Sequence, residues 1–176
     1  AFTHADFLLV DPQKGGEGLL QTRPARYRFL NVAAGSKCGR LTLNEQGGRS
    51  TFLERTALTA GTIQDNYEVE VRTLDDLIKS HLSSGSIGLK IDTEGYELEV
   101  LKGLEACASR ISFIIAEVSV MRRFEGSYRF EDFIAEASQR GFGFFNILNP
   151  THLWAPNYFD VLLLRKDDPR FLSRTI

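Results

Sequence analysis

The stretch IGLKIDTEGYELEVLKG, residues 87–103, decides the fold of this chain. Its first residues are apolar and predict a short strand that ends at the carboxylate of Asp92. Glu94 and Gly95 follow, and the apolar spacing after them predicts an amphipathic helix over residues 95–104. Open α/β sheets build their ligand sites in this way, at the carboxyl ends of their strands. We therefore expect a polar ligand beside Asp92 and Glu94.

The composition indicates a globular protein. The 176 residues are enough for one domain with a buried core, and 43% of them are hydrophobic and 25% charged. The net charge of −2, without basic residues interleaved with aromatic ones, predicts no nucleic-acid partner. Because no apolar run approaches the roughly 20 residues of a membrane helix, we expect no membrane span. Cys38 and Cys107 lie far apart, which favours two reduced thiols in a cytoplasmic protein over a disulfide or a metal site.

Apolar runs and helical patterns alternate along the rest of the chain. Thr73, with Asp76 three residues later, is a helix start of the capping-box type, and Gly141 ends a helix predicted over residues 130–140. Residues 44–61 are rich in Gly, Ser and Thr and predict a long loop. We predict strands over residues 7–10, 27–34, 38–43, 67–72, 87–92, 111–118, 142–148 and 159–165.

This alternation predicts an α/β fold, with a mostly parallel sheet, helices on both faces and a closing hairpin of the last two strands. Successive parallel strands direct their carboxyl ends to the same edge. We therefore expect Asp11, Asp92 and Glu117 to meet around one polar cleft. His152 joins them if the strand over residues 142–148 runs parallel to the others.

Several blocks of the sequence carry a resemblance to a known family. The most specific is LKIDTEGYELEVLKG, and the others are LLVDP (8–12), VRTLDDLI (71–78), FIIAEVS (113–119) and YFDVLLLRKDDP (158–169). These blocks resemble the FkbM-type methyltransferases, which use S-adenosyl-L-methionine (SAM) and have a seven-stranded Rossmann-like sheet with an antiparallel closing strand. The resemblance implies SAM as the cofactor and a hydroxyl of a small molecule or glycan as the methyl acceptor.

The sequence departs from that family in one respect. The family opens with a strand and a glycine-rich turn that lies about twenty residues before the acid at position 11. Gly15, Gly16 and Gly18 follow Asp11 and cannot replace that turn. The resemblance therefore predicts a single methyltransferase-like domain that lacks the first strand of the fold. Truncation at the N-terminus is the favoured explanation, and a degenerate member of the family is the alternative.

Two acids are candidates for binding the cofactor. By resemblance, Asp11 accepts hydrogen bonds from the ribose hydroxyls, although an Asp-Pro pair also forms turns without any ligand. Asp92 faces the cofactor or the acceptor, and it is also a candidate N-cap of the helix that follows. Asp92 and Glu117 could also hold a divalent cation, but two acids are a weak metal signal without a third ligand, so no metal is predicted.

Three residues are candidates for catalysis, because a hydroxyl acceptor must lose its proton during methyl transfer. Glu117 interrupts an apolar strand, where a carboxylate is costly unless it is paired or used. Glu94 is either the base or a favourable charge at a helix start. His152 has a near-neutral pKa as a residue type, and it is either a base or a surface residue.

Other polar residues have simpler interpretations. Glu97 and Glu99 are expected on the solvated face of a helix. Arg122, Arg123 and Tyr128 follow Glu117 and could shape the choice of acceptor, although a solvated loop is the favoured interpretation. Two further functions stay open beside methyl transfer. One is a non-catalytic Rossmann-like domain for binding or assembly, and the other is an enzyme that uses NAD.

Overall fold

Strands and helices alternate along the chain in the computed structural model, which describes residues 4–20, 24–57, 63–149 and 158–172. The helices in these ranges are α1 (Gly16–Leu19), α2 (Leu74–His81), α3 (Glu97–Lys102) and α4 (Phe130–Gln139). The strands are β1 (Phe7–Val10), β2 (Tyr27–Leu30), β3 (Ala33–Ala34), β4 (Gly39–Glu45), β5 (Asp65–Arg72), β6 (Ile87–Ile91), β7 (Ile111–Ser119), β8 (Phe142–Ile147) and β9 (Tyr158–Arg165). The predicted α/β alternation is confirmed.

The strands form three sheets, in the orders β1-β2, β3-β5-β4 and β6-β7-β9-β8. Three strand pairs are parallel, namely β1 with β2, β3 with β5 and β6 with β7. The other three pairs are antiparallel. The expected single, mostly parallel sheet is therefore not found among the residues that the structure describes, where the sheets are mixed and small.

The main core lies on one face of the four-stranded sheet. Alternate residues of β7, namely Ile114, Ala116 and Val118, are fully buried there and pack with apolar side chains of α2, α3 and α4. On the opposite face, Ile115 and Glu117 are only half-buried. We expected helices on both faces of the sheet, but in the described ranges α2, α3 and α4 all pack on the same face of this one.

The last two strands form the predicted hairpin, because β8 and β9 are antiparallel. Since β9 is also antiparallel to β7, β8 runs in the same direction as β7. The carboxyl end of β8 therefore lies at the edge where β6 and β7 end, and the chain beyond Asn149 starts from that edge.

The start of α2 is explained by its local sequence. The hydroxyl of Thr73 accepts a hydrogen bond from the main-chain N–H of Asp76, as predicted. The carboxylate of Asp75 accepts hydrogen bonds from the N–H groups of residues 105–107 and ties α2 to the segment after α3.

Cys38 and Cys107 are both free thiols. None of the helices in the described ranges combines the length and the apolar character that crossing a membrane requires.

Candidate active site at the carboxyl ends of β6 and β7

Asp92 and Glu117 lie side by side at the edge of the four-stranded sheet. In the parallel pair of β6 and β7, Ile91 is opposite Ala116, so the next residue of each strand falls in the same register. The Asp92 side chain is 49% exposed and that of Glu117 only 20%. Asp92 is thus accessible to a ligand, whereas Glu117 lies deeper in the same place.

Glu94 joins these two acids through the tight turn after β6. Its backbone has a φ of 50°, in the left-handed region that non-glycine residues seldom adopt. The hydroxyl of Thr51 donates a 2.7 Å hydrogen bond to the Glu94 carbonyl and helps to hold this conformation. The next residue, Gly95, has a φ of 96°, and a Cβ there would lie 2.4 Å from Cδ2 of Phe124. The turn therefore requires glycine at position 95.

Glu97 is buried, so its predicted location on a solvated face is wrong. The residue is only 2% exposed, and its Oε1 accepts hydrogen bonds from the N–H groups of Thr93 and Gly95, each at 3.0 Å. The hydroxyl of Tyr128 donates a 2.7 Å hydrogen bond to Oε2. These bonds satisfy the buried N–H groups of the turn and fix its shape. The helix N-cap is Tyr96, so the alternative of Asp92 as the N-cap is wrong as well.

Arg123 is also buried, and its predicted place in a solvated loop is wrong. The residue is 9% exposed. Its Nη2 lies 2.6 Å from Oε2 of Glu94, and its Nη1 lies 3.7 Å from Oε1 of Glu117. The guanidinium also lies over the ring of Tyr158, 4.8 Å from the ring centre. A sequence signal for this residue exists only indirectly, because buried acids require a cation nearby.

A second cation, Lys90, lies on the other side of the acids. Its Nζ is 2.5 Å from Oδ1 of Asp160 and 3.6 Å from Oδ2 of Asp92. Asp160 is opposite Glu117 in the register of β7 and β9. The side-chain amide of Asn149 donates a 3.0 Å hydrogen bond to the second carboxylate oxygen of Asp160. Neither Lys90 nor Asp160 stood out in the sequence.

The pKa values of Glu117 and Glu94 are both raised, and for Glu117 the neighbouring acids make the largest contribution after burial. Burial, and then the charges of Asp92 and Glu94, raises the pKa of Glu117 to about 7, although Lys90 and Arg123 oppose the change. Burial also raises the pKa of Glu94, against the charge of Arg123. A carboxyl group with a pKa near 7 can take up or release a proton at neutral pH, as a general acid or base must.

Asp11, one of the predicted site residues, is not joined to this group. Asp11 follows β1, which belongs to a different sheet, and its Oδ1 accepts a 2.8 Å hydrogen bond from the N–H of Gln13. It therefore forms a local turn, and no hydrogen bond or ion pair within the described ranges joins it to Asp92, Glu94 or Glu117. His152 lies outside the residues that the structure describes.

The described parts of the chain contain no group of three or more His, Cys, Asp or Glu side chains arranged to hold a metal ion. The groups present at this edge are carboxylates of graded exposure, balanced by Arg123 and Lys90. Such a set can accept hydrogen bonds from hydroxyl groups, stabilise a ligand cation and take up a proton.

Comparison with known proteins identifies the family. Residues 20–144 match the family model described as the methyltransferase FkbM domain. No curated protein and no solved structure matches the chain. The matched range contains Asp92, Glu94, Glu117 and Arg123. Because it also covers more than half of the 176 residues, this chain belongs to the methyltransferase FkbM domain family and is a methyltransferase.

Proposed function

We propose that this methyltransferase moves a methyl group from SAM to a hydroxyl oxygen of a small molecule or glycan. One observation carries the proposal: Glu117, whose pKa is raised to about 7, lies beside the exposed carboxylate of Asp92 inside an FkbM domain. A base that titrates near neutral pH suits the removal of a hydroxyl proton. A hydroxyl needs such a base more than a neutral amine does, because a neutral hydroxyl oxygen is the weaker nucleophile.

Glu117 is the proposed general base. In the transfer, the acceptor oxygen forms a bond to the methyl carbon as the carbon–sulfur bond breaks, and the hydroxyl proton passes to the base. Glu94 is less suited to this role, because its carboxylate is engaged by Arg123 at 2.6 Å. His152 stays a second candidate base, since an imidazole titrates near neutral pH and the residue follows β8, whose carboxyl end is at the same edge.

Asp92 and Asp11 are the proposed cofactor-binding residues. SAM, when bound, supplies an activated methyl group on a positively charged sulfur. Asp92 fits a role beside it, because a half-exposed carboxylate can accept hydrogen bonds from ribose hydroxyls and stabilise a nearby cation. Asp11 has one carboxylate oxygen bound to Gln13 N–H and a second oxygen that can accept a ribose proton.

Two measurements test the proposal. Calorimetric titration with SAM should show binding to the wild-type chain, and weaker binding to Asp92→Asn by about 1–3 kcal/mol. Transfer of a labelled methyl group should then be measured with sugars, oligosaccharides and small alcohols, with amines of matching size as controls. Glu117→Gln should bind SAM like the wild type and lose transfer. The absence of SAM binding at millimolar concentration, or methylation of the amines alone, contradicts the proposal.

A further inference from the structure

We propose that Glu94 and Arg123 form a positioning pair that keeps Glu117 available as the base of the site. Glu94 holds the guanidinium, and Arg123 is thereby prevented from forming a close ion pair with Glu117. This inference rests on the proposed function, because it explains how the proposed base stays free. Neither member of the pair needs to contact the substrate, so both act through Glu117.

The distances indicate which acid holds the guanidinium. The 2.6 Å between Nη2 of Arg123 and Oε2 of Glu94 is that of a charge-assisted hydrogen bond. The 3.7 Å between Nη1 and Oε1 of Glu117 is too long for a hydrogen bond, so only a weaker charge attraction remains. One guanidinium therefore interacts with two half-buried acids, closely with Glu94 and only weakly with Glu117.

Arg123 is fixed from outside the pair. The main-chain N–H of Thr56 donates a 3.1 Å hydrogen bond to the Arg123 carbonyl, and the hydroxyl of Thr56 donates to the Arg122 carbonyl at 3.0 Å. The ring of Tyr158 covers the guanidinium, and the Ser119 hydroxyl lies 3.5 Å from Nη1. The side chain is thus held beside both acids, and the choice between them depends on where their carboxylates lie.

The position of Glu94 is fixed by the same segment of chain, residues 51–56. Thr51, only five residues before Thr56, donates its hydroxyl to the Glu94 carbonyl at 2.7 Å. The left-handed backbone at Glu94 directs the carboxylate to Arg123, and the close contact of Gly95 with Phe124 leaves the turn little room to move. Segment 51–56 therefore sets the relative position of the two members of the pair.

Several other charges face Glu117 and decide the sign of the effect. Asp92 lies beside it, Glu94 lies across Arg123, and Asp160 is opposite it on β9. The cations are Lys90, Arg123 and, next to Glu94, Arg55. If the Glu94 carboxylate is removed, the guanidinium of Arg123 should move toward Glu117, now 3.7 Å away, and stabilise its charged form.

The test is a titration of the Glu117 carboxyl carbon by NMR in the full chain, with its signal assigned from Glu117→Gln. In Glu94→Gln the midpoint should fall by about 1 pH unit or more, because Arg123 then pairs with Glu117. Glu94→Asp keeps the charge, suits the left-handed backbone and shortens the side chain by one methylene. It loosens the pair without removing the charge, so a smaller fall is expected.

Glu136→Gln is the matched control. Glu136 forms an ion pair with Arg140, and the two side chains are 19% and 16% exposed, close to the burial of the Glu94 pair. This variant should leave the Glu117 midpoint unchanged. An unchanged or higher Glu117 midpoint in both Glu94 variants overturns the proposal. A fall in Glu94→Gln with no fall in Glu94→Asp also overturns it, because the lost charge of Glu94 alone then explains the fall. If Glu94→Gln does not fold, Glu94→Asp decides. The titration needs neither SAM nor an acceptor, so its failure is distinct from failure of the transfer assay.

Discussion

The hydroxyl of Tyr128 donates a 2.7 Å hydrogen bond to the carboxylate of Glu97, and this bond joins the loop before α4 to the turn after β6. The other oxygen of Glu97 accepts two N–H groups of that turn. A single buried side chain thus connects the turn with a segment thirty residues further along the chain. Glu94 belongs to the same turn, so the packing of Tyr128 influences where the Glu94 carboxylate lies.

Removing either partner of this bond should destabilise the fold. Tyr128→Phe leaves a buried carboxylate oxygen without its donor, which should lower the free energy of unfolding by about 1–3 kcal/mol. Urea unfolding measures this loss. Glu131→Gln, on the exposed side of α4, is the control and should change stability little. A double variant Tyr128→Phe with Glu97→Gln should lose less than the sum of the single losses.

Glycine at position 95 should be required for two separate reasons. Gly95→Ala meets both a positive φ and the ring of Phe124, so we expect a loss of about 2–4 kcal/mol. Gly126→Ala provides a matched control, because Gly126 has a φ of 67° but no atom within 4 Å of the added Cβ. It should lose only about 1–2 kcal/mol by thermal or urea unfolding. Equal losses in the two variants would show that Phe124 has no part.

The raised pKa of Glu117 has a cost in stability. The folded chain binds a proton that the unfolded chain has already released between pH 4.5 and about 7, so stability is full below this window and falls as pH rises through it. The loss should reach on the order of 3 kcal/mol at pH 8. Glu117→Gln removes the effect. In urea unfolding it should be close to the wild type at pH 5 and more stable at pH 8, whereas equal differences at both pH values would contradict the raised pKa.

Methyl transfer should depend on pH in the opposite sense. If Glu117 is the base, it works only when deprotonated, so kcat/KM should rise with pH through about 7. Glu117→Gln should lose this rising limb together with most of the rate. A rate that rises through the same pH in Glu117→Gln would assign the base to another group, with His152→Gln as the next variant to measure.

The sequence predicted the elements of the site better than the contacts within it. The strand before Asp92 and the strand with Glu117 follow from local apolar runs, and their parallel register brings the two acids together. The location of Glu97 was wrong because a solvated helix face and a buried helix start have the same local pattern. Its partner Tyr128 is distant in the chain, so no periodicity indicates the contact.

The pairing of the strands into sheets could not be predicted from local sequence patterns either. Alternating strands and helices predict parallel pairing, but β5 pairs with β4 in antiparallel fashion and forms a separate sheet with it. Pairing depends on which strand edges meet after the chain has collapsed, and short apolar runs carry little information on that choice. Arg123 was missed for a related reason, since its burial depends on Thr56, Glu94 and Tyr158 together.

Thr51 and Thr56 contribute no charge to the site, yet each supports one half of the Glu94–Arg123 pair. Random mutagenesis that selects for inactive enzyme should therefore recover substitutions in residues 51–56, about forty residues before Asp92 in the sequence. In attempts to redesign the enzyme for another acceptor, substitutions in residues 51–56 should change the pKa of Glu117 without replacing any catalytic side chain.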